Sequence, residues 1–404
     1  MNKLKGYAQI SQLATLKGVA EKDGRKPLKE DLSIIENGAI VFNEDKILWV
    51  GSSDDIPTKY MDIKWESLKG KTLTPELVDS HTHLVFGGNR SQEYSMRLNG
   101  ATYADIAKAG GGILSTMKMT NEATEEELYT SASERIKQLR SYGVGTIEIK
   151  SGYGLNIERE VLCSKIIDRL KKDFYPQVQI FNTFMAAHAI PKEFASGRDY
   201  IDAVVLPALN EVVKTVEIDA VDIFHEEGYF STDDVCYLFD YCKTLGLKLK
   251  THADEFKDNQ GAALAAKYEC LSTDHLLCSS KEGIKALAQS KTVATILPGT
   301  GFFLGKPQSD ARSMIDTGAK VAIASDYNPG SCHCDNLLLI ASIAAPNLGL
   351  TQAELWSGIT FNAAAALGLY DQGAITVGNK PRFSIFNVPS LDEITYNWGK
   401  NYAL

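Results

Sequence analysis

The chain has 404 residues, 44% hydrophobic and 23% charged, which is enough for a large core in one α/β barrel or in two ordinary domains. A formal net charge of −9 argues against a basic surface for nucleic acid, and no apolar run reaches the ~20 residues that span a bilayer. Seven Cys residues without a C-x-x-C pair, and no signal-peptide pattern at the start, lead us to expect reduced thiols in a cytoplasmic protein.

From residue 1 to about 70 the texture is that of short strands. Residues 38–42 and 46–50 are β-rich and flank Asn43-Glu44-Asp45, a turn signal, so a hairpin is expected. The charged run 22–29 reads as surface loop.

At Thr74 the texture changes. Short apolar runs, each ending in polar residues, now alternate with amphipathic segments. The first is Thr74-Pro-Glu-Leu-Val-Asp-Ser-His-Thr-His83. The others occupy 143–150, 179–187, 220–224, 247–250, 270–274, 291–297 and 319–324. Thr124 with Glu127 is a capping-box pattern, and Ser231 reads as an N-cap. Strand and helix repeated eight times predicts a (β/α)8 barrel, placed at 71–369. A last helix is expected over 351–367, then strands at 373–377 and 382–386. These strands would join residues 1–70, so that 1–70 with 370–404 form a small β-sandwich domain.

In such a barrel the active site lies at the C-terminal ends of the strands. Six of the seven histidines fall at or just past these ends. His81 and His83, two apart on extended backbone, project to one side. A lone H-x-H pair is more often two hydrogen-bonded histidines at a loop mouth. With His252 after the fifth run and Asp326 after the eighth, the set suits one transition metal, zinc or iron. Such an ion lowers the pKa of a bound water to around 7. Cys332-His333-Cys334 alternates too tightly, without a second ligand cluster, and reads as structural. His225 beside Glu226 and Glu227 reads as a hydrogen-bonded pair.

Asp79-Ser-His-Thr-His83, Thr251-His-Ala-Asp-Glu255, His275 and Ala324-Ser-Asp326 resemble the amidohydrolase superfamily, whose members are metal-bearing (β/α)8 barrels with a small β-sandwich from both chain ends. Leu84 to Arg90, Ala109-Gly-Gly-Gly-Ile113, Lys150-Ser-Gly-Tyr-Gly154, Ala187-His188 and Asp326-Tyr-Asn-Pro-Gly-Ser331 narrow the resemblance. They are similar to the branch that opens the cyclic amide of 4-imidazolone-5-propanoate to N-formimidoyl-L-glutamate in histidine degradation. No lysine stands out as a bridging ligand, so one ion is expected.

The resemblance implies roles. Arg90 would clamp the propionate tail, since a guanidinium fork matches a carboxylate. Tyr153 and His188 would donate to substrate, and Asn328, Gly330 and Ser331 would contact its ring and tail. Glu255, His275 and Asp326 would carry acid–base and polarising work. Gly110-Gly-Gly112 would belong to a closing loop. The implied partner is this small molecule, with no nucleic acid or membrane, and a homodimer is admitted. Asn121, where an Arg is frequent, and Gly378-Asn-Lys-Pro-Arg-Phe383, where Gly-x-x-Ala-Asp-Leu is usual, depart from the pattern. A nucleobase deaminase of the same superfamily is the rival enzyme, disfavoured by Arg90 and Tyr153. A non-catalytic assembly protein on the same barrel is disfavoured by the intact ligand set.

Overall fold

Two sheets divide the strand-forming runs of this chain, and the boundary between them falls inside the stretch expected as one strand. The computed structural model describes residues 4–102, 105–106 and 110–404. Residues 1–3 of the expected small domain and Ala109 of the glycine motif lie outside the described residues.

The first five strands are β1 (Lys5–Ala14), β2 (Ile34–Phe42), β3 (Ile47–Ser52), β4 (Lys64–Ser67) and β5 (Thr72–Pro75). The β2–β3 hairpin is antiparallel, as the turn signal implied. Strand β1 pairs with β4 through Lys5 to Ala8 and with β5 through Gln12 and Leu13. Between these pairings it bulges, and Gln9 takes φ 54°. That bend lets one sheet fold over its own core, which contains Ile10, Leu13, Ile40, Phe42 and Leu73.

The barrel strands are β6 (Leu77–Asp79), β7 (Val144–Lys150), β8 (Gln179–Ala187), β9 (Ala220–His225), β10 (Lys250–Ala253), β11 (Ser272–His275), β12 (Val293–Ile296) and β13 (Val321–Ile323). They lie side by side in chain order, and every pair is parallel. Past the ends of β6 and β13 a bridge between Thr82 and Tyr327 draws the first and last strands together. The His83 N–H donates to the Tyr327 carbonyl at 2.9 Å. A last strand, β14 (Phe383–Phe386), returns antiparallel to β5, so both chain ends build the small sheet.

Two of the helices between the strands start at the caps read from the sequence. Thr124 caps Glu125–Ser141 in a reciprocal box with Glu127, and Ser231 caps Thr232–Thr244 with Asp234. Asn156 caps Ile157–Phe174, whose apolar face packs on β8.

Three expectations need correction. The run from Thr74 is two strands: β5 belongs to the small sheet and β6 to the barrel. Residues 373–377 form no strand, and only Phe383–Phe386 pairs. The helix expected over 351–367 is two, Gln352–Gly358 and Phe361–Ala365, because Thr360 leaves the helical region at φ −132°, ψ −86°. Strands β10 and β11 also extend beyond the apolar runs, through His252 and His275. Barrel-interior positions carry polar groups there, so an apolar-run criterion stops early.

Candidate active site

Extended backbone past β6 carries His81 and His83, with ring centroids 5.3 Å apart. His252 lies within β10 and His275 ends β11. Asp326 follows β13 with φ 52°, a conformation unfavourable to a non-glycine residue and held here by its surroundings. Its N–H donates to the His81 carbonyl at 3.0 Å. The four expected ligands therefore meet. The side-chain nitrogens of His81, His83 and His252 include a set within 4.8 Å of one another. Asp326 Oδ1 lies 3.5 Å from His81 Nε2 and 3.8 Å from His83 Nε2.

These groups are buried, and several lack partners. Among the described residues His81 Nε2 and His252 Nε2 have no hydrogen-bond partner, whereas their Nδ1 atoms face Asp274 Oδ2 at 2.6 Å and Asp222 Oδ1 at 3.2 Å. Burial holds all three imidazoles well below their ordinary pKa, hence neutral. Burial pushes Asp326 up to about 7, against hydrogen bonds from Thr300, Asn328 and Ser331. Leaving inward lone pairs dry and unpaired is costly. Three neutral imidazoles and a carboxylate converging in this way fit a transition-metal cation, which takes ligands in these protonation states.

Above these four residues opens a cavity of about 720 Å³, lined in part by Arg90, Tyr153, His188, Glu255 and Ser331. Its size suits a small molecule.

The amidohydrolase family model matches residues 72–402. Imidazolonepropionase from Geobacillus kaustophilus is 42% identical over 97% of this chain and 93% of that protein. The enzyme of the same name from Clostridium tetani is 41% identical over the same shares of each chain. The chain belongs to the amidohydrolase family, in its imidazolonepropionase branch. The fold of this amidohydrolase also matches two solved structures. One is atrazine chlorohydrolase from Arthrobacter aurescens complexed with zinc, at TM-score 0.72, 14% identity, and 99% and 92% coverage. The other is 5-methylcytosine deaminase from Klebsiella pneumoniae, at TM-score 0.71, 15% identity, and 97% and 94% coverage.

Around the cavity of this amidohydrolase the expected substrate-binding residues differ in how free they are. Arg90 is not a bare cation: its Nη2 and Nε contact Glu93 Oε2 at 2.8 and 2.9 Å. It also lies against Gly330, where a Cβ would sit 1.9 Å from Arg90 Nη1. Tyr153 is buried, and burial raises its pKa further, so its phenol keeps its proton. His188 stacks on His83 at 5.0 Å and 13°.

The donor role expected of His188 needs correction. Its Nδ1 lies 3.0 Å from the Gly152 carbonyl, which only accepts, and burial lowers its pKa to about 4. The neutral ring therefore carries its proton on Nδ1 and presents Nε2 as an acceptor. The side chain of Asn328 is likewise committed. It donates to the Asp326 carbonyl and Ser331 Oγ, both at 2.7 Å, and accepts the N–H groups of Gly330 and Ser331 at 2.7 and 2.8 Å. These three residues form a self-satisfied turn that shapes the wall.

His275 has φ 80°, and its Nδ1, without a hydrogen-bond partner among the described residues, lies 3.7 Å from Glu255 Oε2. Burial lowers His275 to about 4 and raises Glu255 to about 8, the latter with help from Asp326 and Glu226. His225 instead meets Thr232 Oγ1 at 3.1 Å, while Glu226 accepts Phe256 N–H and Asn259 Nδ2, so the expected His–Glu pair is absent. Cys332-His333-Cys334 packs structurally, with His333 edge-on to Tyr327. Asn121 donates to the Gly154 carbonyl and braces the Tyr153 loop.

Sequence reasoning missed Asp222 and Asp274, which contact the His252 and His81 rings, and Thr300, whose hydroxyl donates to Asp326 Oδ2. It also missed Glu93, Arg97 and Lys306 on the cavity wall. A signal existed for the first pair: each is a lone carboxylate inside a short strand that is otherwise uncharged or apolar.

Proposed function

We propose that this amidohydrolase opens the ring of 4-imidazolone-5-propanoate by adding water across its cyclic amide, giving N-formimidoyl-L-glutamate. The observation that carries the reading is the ligand cage of His81, His83, His252 and Asp326 at the floor of a cavity that has Arg90 on its wall. The four residues would hold one zinc or iron ion. When bound, that ion supplies Lewis acidity toward a carbonyl oxygen and a nucleophilic hydroxide near neutral pH.

The chain's own residues do the rest. Arg90 binds the propionate, and Glu93 fixes the direction of the fork. Tyr153 donates its phenolic hydrogen, and His188 Nε2 accepts an N–H from the substrate. Glu255 takes the proton of the attacking water on its carboxylate. It returns that proton to the ring nitrogen as the C–N bond breaks, and its raised pKa suits both transfers. His275, beside the His252 ring at 5.0 Å, orients the reacting carbonyl. Asp326, whose Oδ2 is held by Thr300, keeps Oδ1 turned toward the ligand rings. Gly112, whose N–H donates to Glu93 Oε1 at 3.1 Å, tethers the glycine segment to the cavity wall, where its movement would admit substrate.

A product assay on 4-imidazolone-5-propanoate tests this reading. Formation of N-formimidoyl-L-glutamate supports it; turnover of a nucleobase with none of this product would replace it with the deaminase reading.

A further inference from the structure

Beneath the ligand imidazoles, inside the barrel, five charged side chains form a closed group with no exposure to solvent. Lys150 Nζ lies 2.7 Å from Asp222 Oδ2, 2.9 Å from Glu148 Oε2 and 3.6 Å from Asp274 Oδ2. Lys250 Nζ lies 3.0 Å from Glu148 Oε2 and 3.9 Å from Asp274 Oδ2, and donates to the Ser80 carbonyl at 3.2 Å. All five side chains are fully buried. Two of the carboxylates face upward to ligand rings: Asp274 to His81 Nδ1 and Asp222 to His252 Nδ1.

Burying these charges is expensive, and nothing in the reaction above touches the lysines. Glu148 and Asp274, with His81, also form a group of potential metal-binding atoms within 4.8 Å. The two ammoniums already lie against those carboxylates, where a second cation would otherwise sit.

We infer that Lys150 and Lys250 are positioning residues. Their ammoniums hold Asp222 and Asp274 as acceptors for the Nδ1–H of His252 and His81, aim the Nε2 lone pairs at the cation, and close the lower pocket to a second ion. The physical basis is general: a carboxylate on the far nitrogen of a ligand histidine fixes its tautomer and raises its basicity. Lys150 supports both carboxylates, so its loss disturbs two ligands at once. The inference rests on the cation site proposed above and not on the identity of the substrate.

The test compares the full-length parent with Lys150→Met and Asp274→Asn, in each case measuring zinc stoichiometry and zinc affinity by competition with a chromophoric chelator. The visible spectrum of the cobalt-substituted forms is recorded in parallel. The parent should bind one ion per chain. Lys150→Met should lose about ten- to hundredfold in affinity and shift the cobalt spectrum, with its far-ultraviolet circular dichroism unchanged. If Lys150→Met does not fold, Asp274→Asn carries the same expectation, because Lys150 there keeps Glu148 and Asp222 and Lys250 keeps Glu148. A folded variant with the parent's affinity and spectrum overturns the inference, as do two tightly bound ions in the parent. A parent that binds no ion sinks the cation site itself, a different failure.

Discussion

The backbone carbonyl of His81 accepts the N–H of Asp326 at 3.0 Å. That one bond ties the His81–His83 segment to the Asp326 segment and, with the Thr82–Tyr327 bridge, draws the ends of the barrel together at these residues. The same segment brings Asp326 Oδ1 to 3.5 Å from His81 Nε2 and 3.8 Å from His83 Nε2, so cation binding should depend on this carboxylate as much as on the histidines. Asp326→Ala should weaken zinc binding by at least about tenfold, the least that losing even a supporting contact costs. Retention of a full complement of tightly held ion by the purified variant would remove Asp326 from the ligand set.

Arg90 tests the substrate tail separately. Arg90→Ala should raise KM by roughly 10- to 150-fold, from the ~1.5–3 kcal/mol of a hydrogen bond to a charged group. Ion content should be unchanged. Gly330→Ala should move in the same direction, because its Cβ would displace Arg90 Nη1. Loss of ion in proportion to activity would show that Arg90 supports the cage instead.

The pH dependence follows from Glu255. It accepts a proton only when ionised, so kcat/KM should rise as pH increases through its pKa. Burial raises that pKa from 4.5 to about 8 in the ion-free chain, and a bound cation pulls it back down. The acid limb should therefore lie between those two values. Glu255→Gln should lower kcat by roughly 10²–10⁴-fold and abolish that limb while leaving ion content intact. A variant with the parent's limb would assign the limb to another group.

Arg382 stands in the segment that departs from the family's usual strand. Its Nε donates to Glu76 Oε1 at 2.7 Å and its Nη2 to the Gly145 carbonyl at 2.8 Å, joining β14 to the base of the barrel. Arg382→Ala should destabilise the protein by up to roughly 3 kcal/mol, because Glu76 is left buried with Thr146 as its remaining side-chain partner. The loss should be visible in a denaturant midpoint, with kcat little changed.

Much of this was legible in the sequence because a barrel writes its active site at strand ends. The alternation of apolar runs with capped helices predicted the eight parallel strands, and the histidines at their ends predicted the ligand cluster. Strand limits were less legible. The interior of β10 and β11 carries Lys250, His252 and Asp274, and polar interior positions look like loop to an apolar-run criterion. The partition of the Thr74 stretch was hidden for another reason: β5 and β6 are both short and both buried, and only their partners distinguish them. Hydrogen-bond direction was also beyond the sequence. Asn328 looks like a substrate ligand in its motif but is saturated within its own turn, and the tautomer of His188 depends on the carbonyl of Gly152.

The most direct measurement is a single preparation in which bound metal and turnover of 4-imidazolone-5-propanoate are quantified together, before and after chelation. About one zinc or iron ion per chain is expected, with N-formimidoyl-L-glutamate formed, activity lost on chelation and recovered when the ion is returned. Full turnover by ion-free protein, or ion-loaded protein that leaves this substrate untouched, would contradict the account.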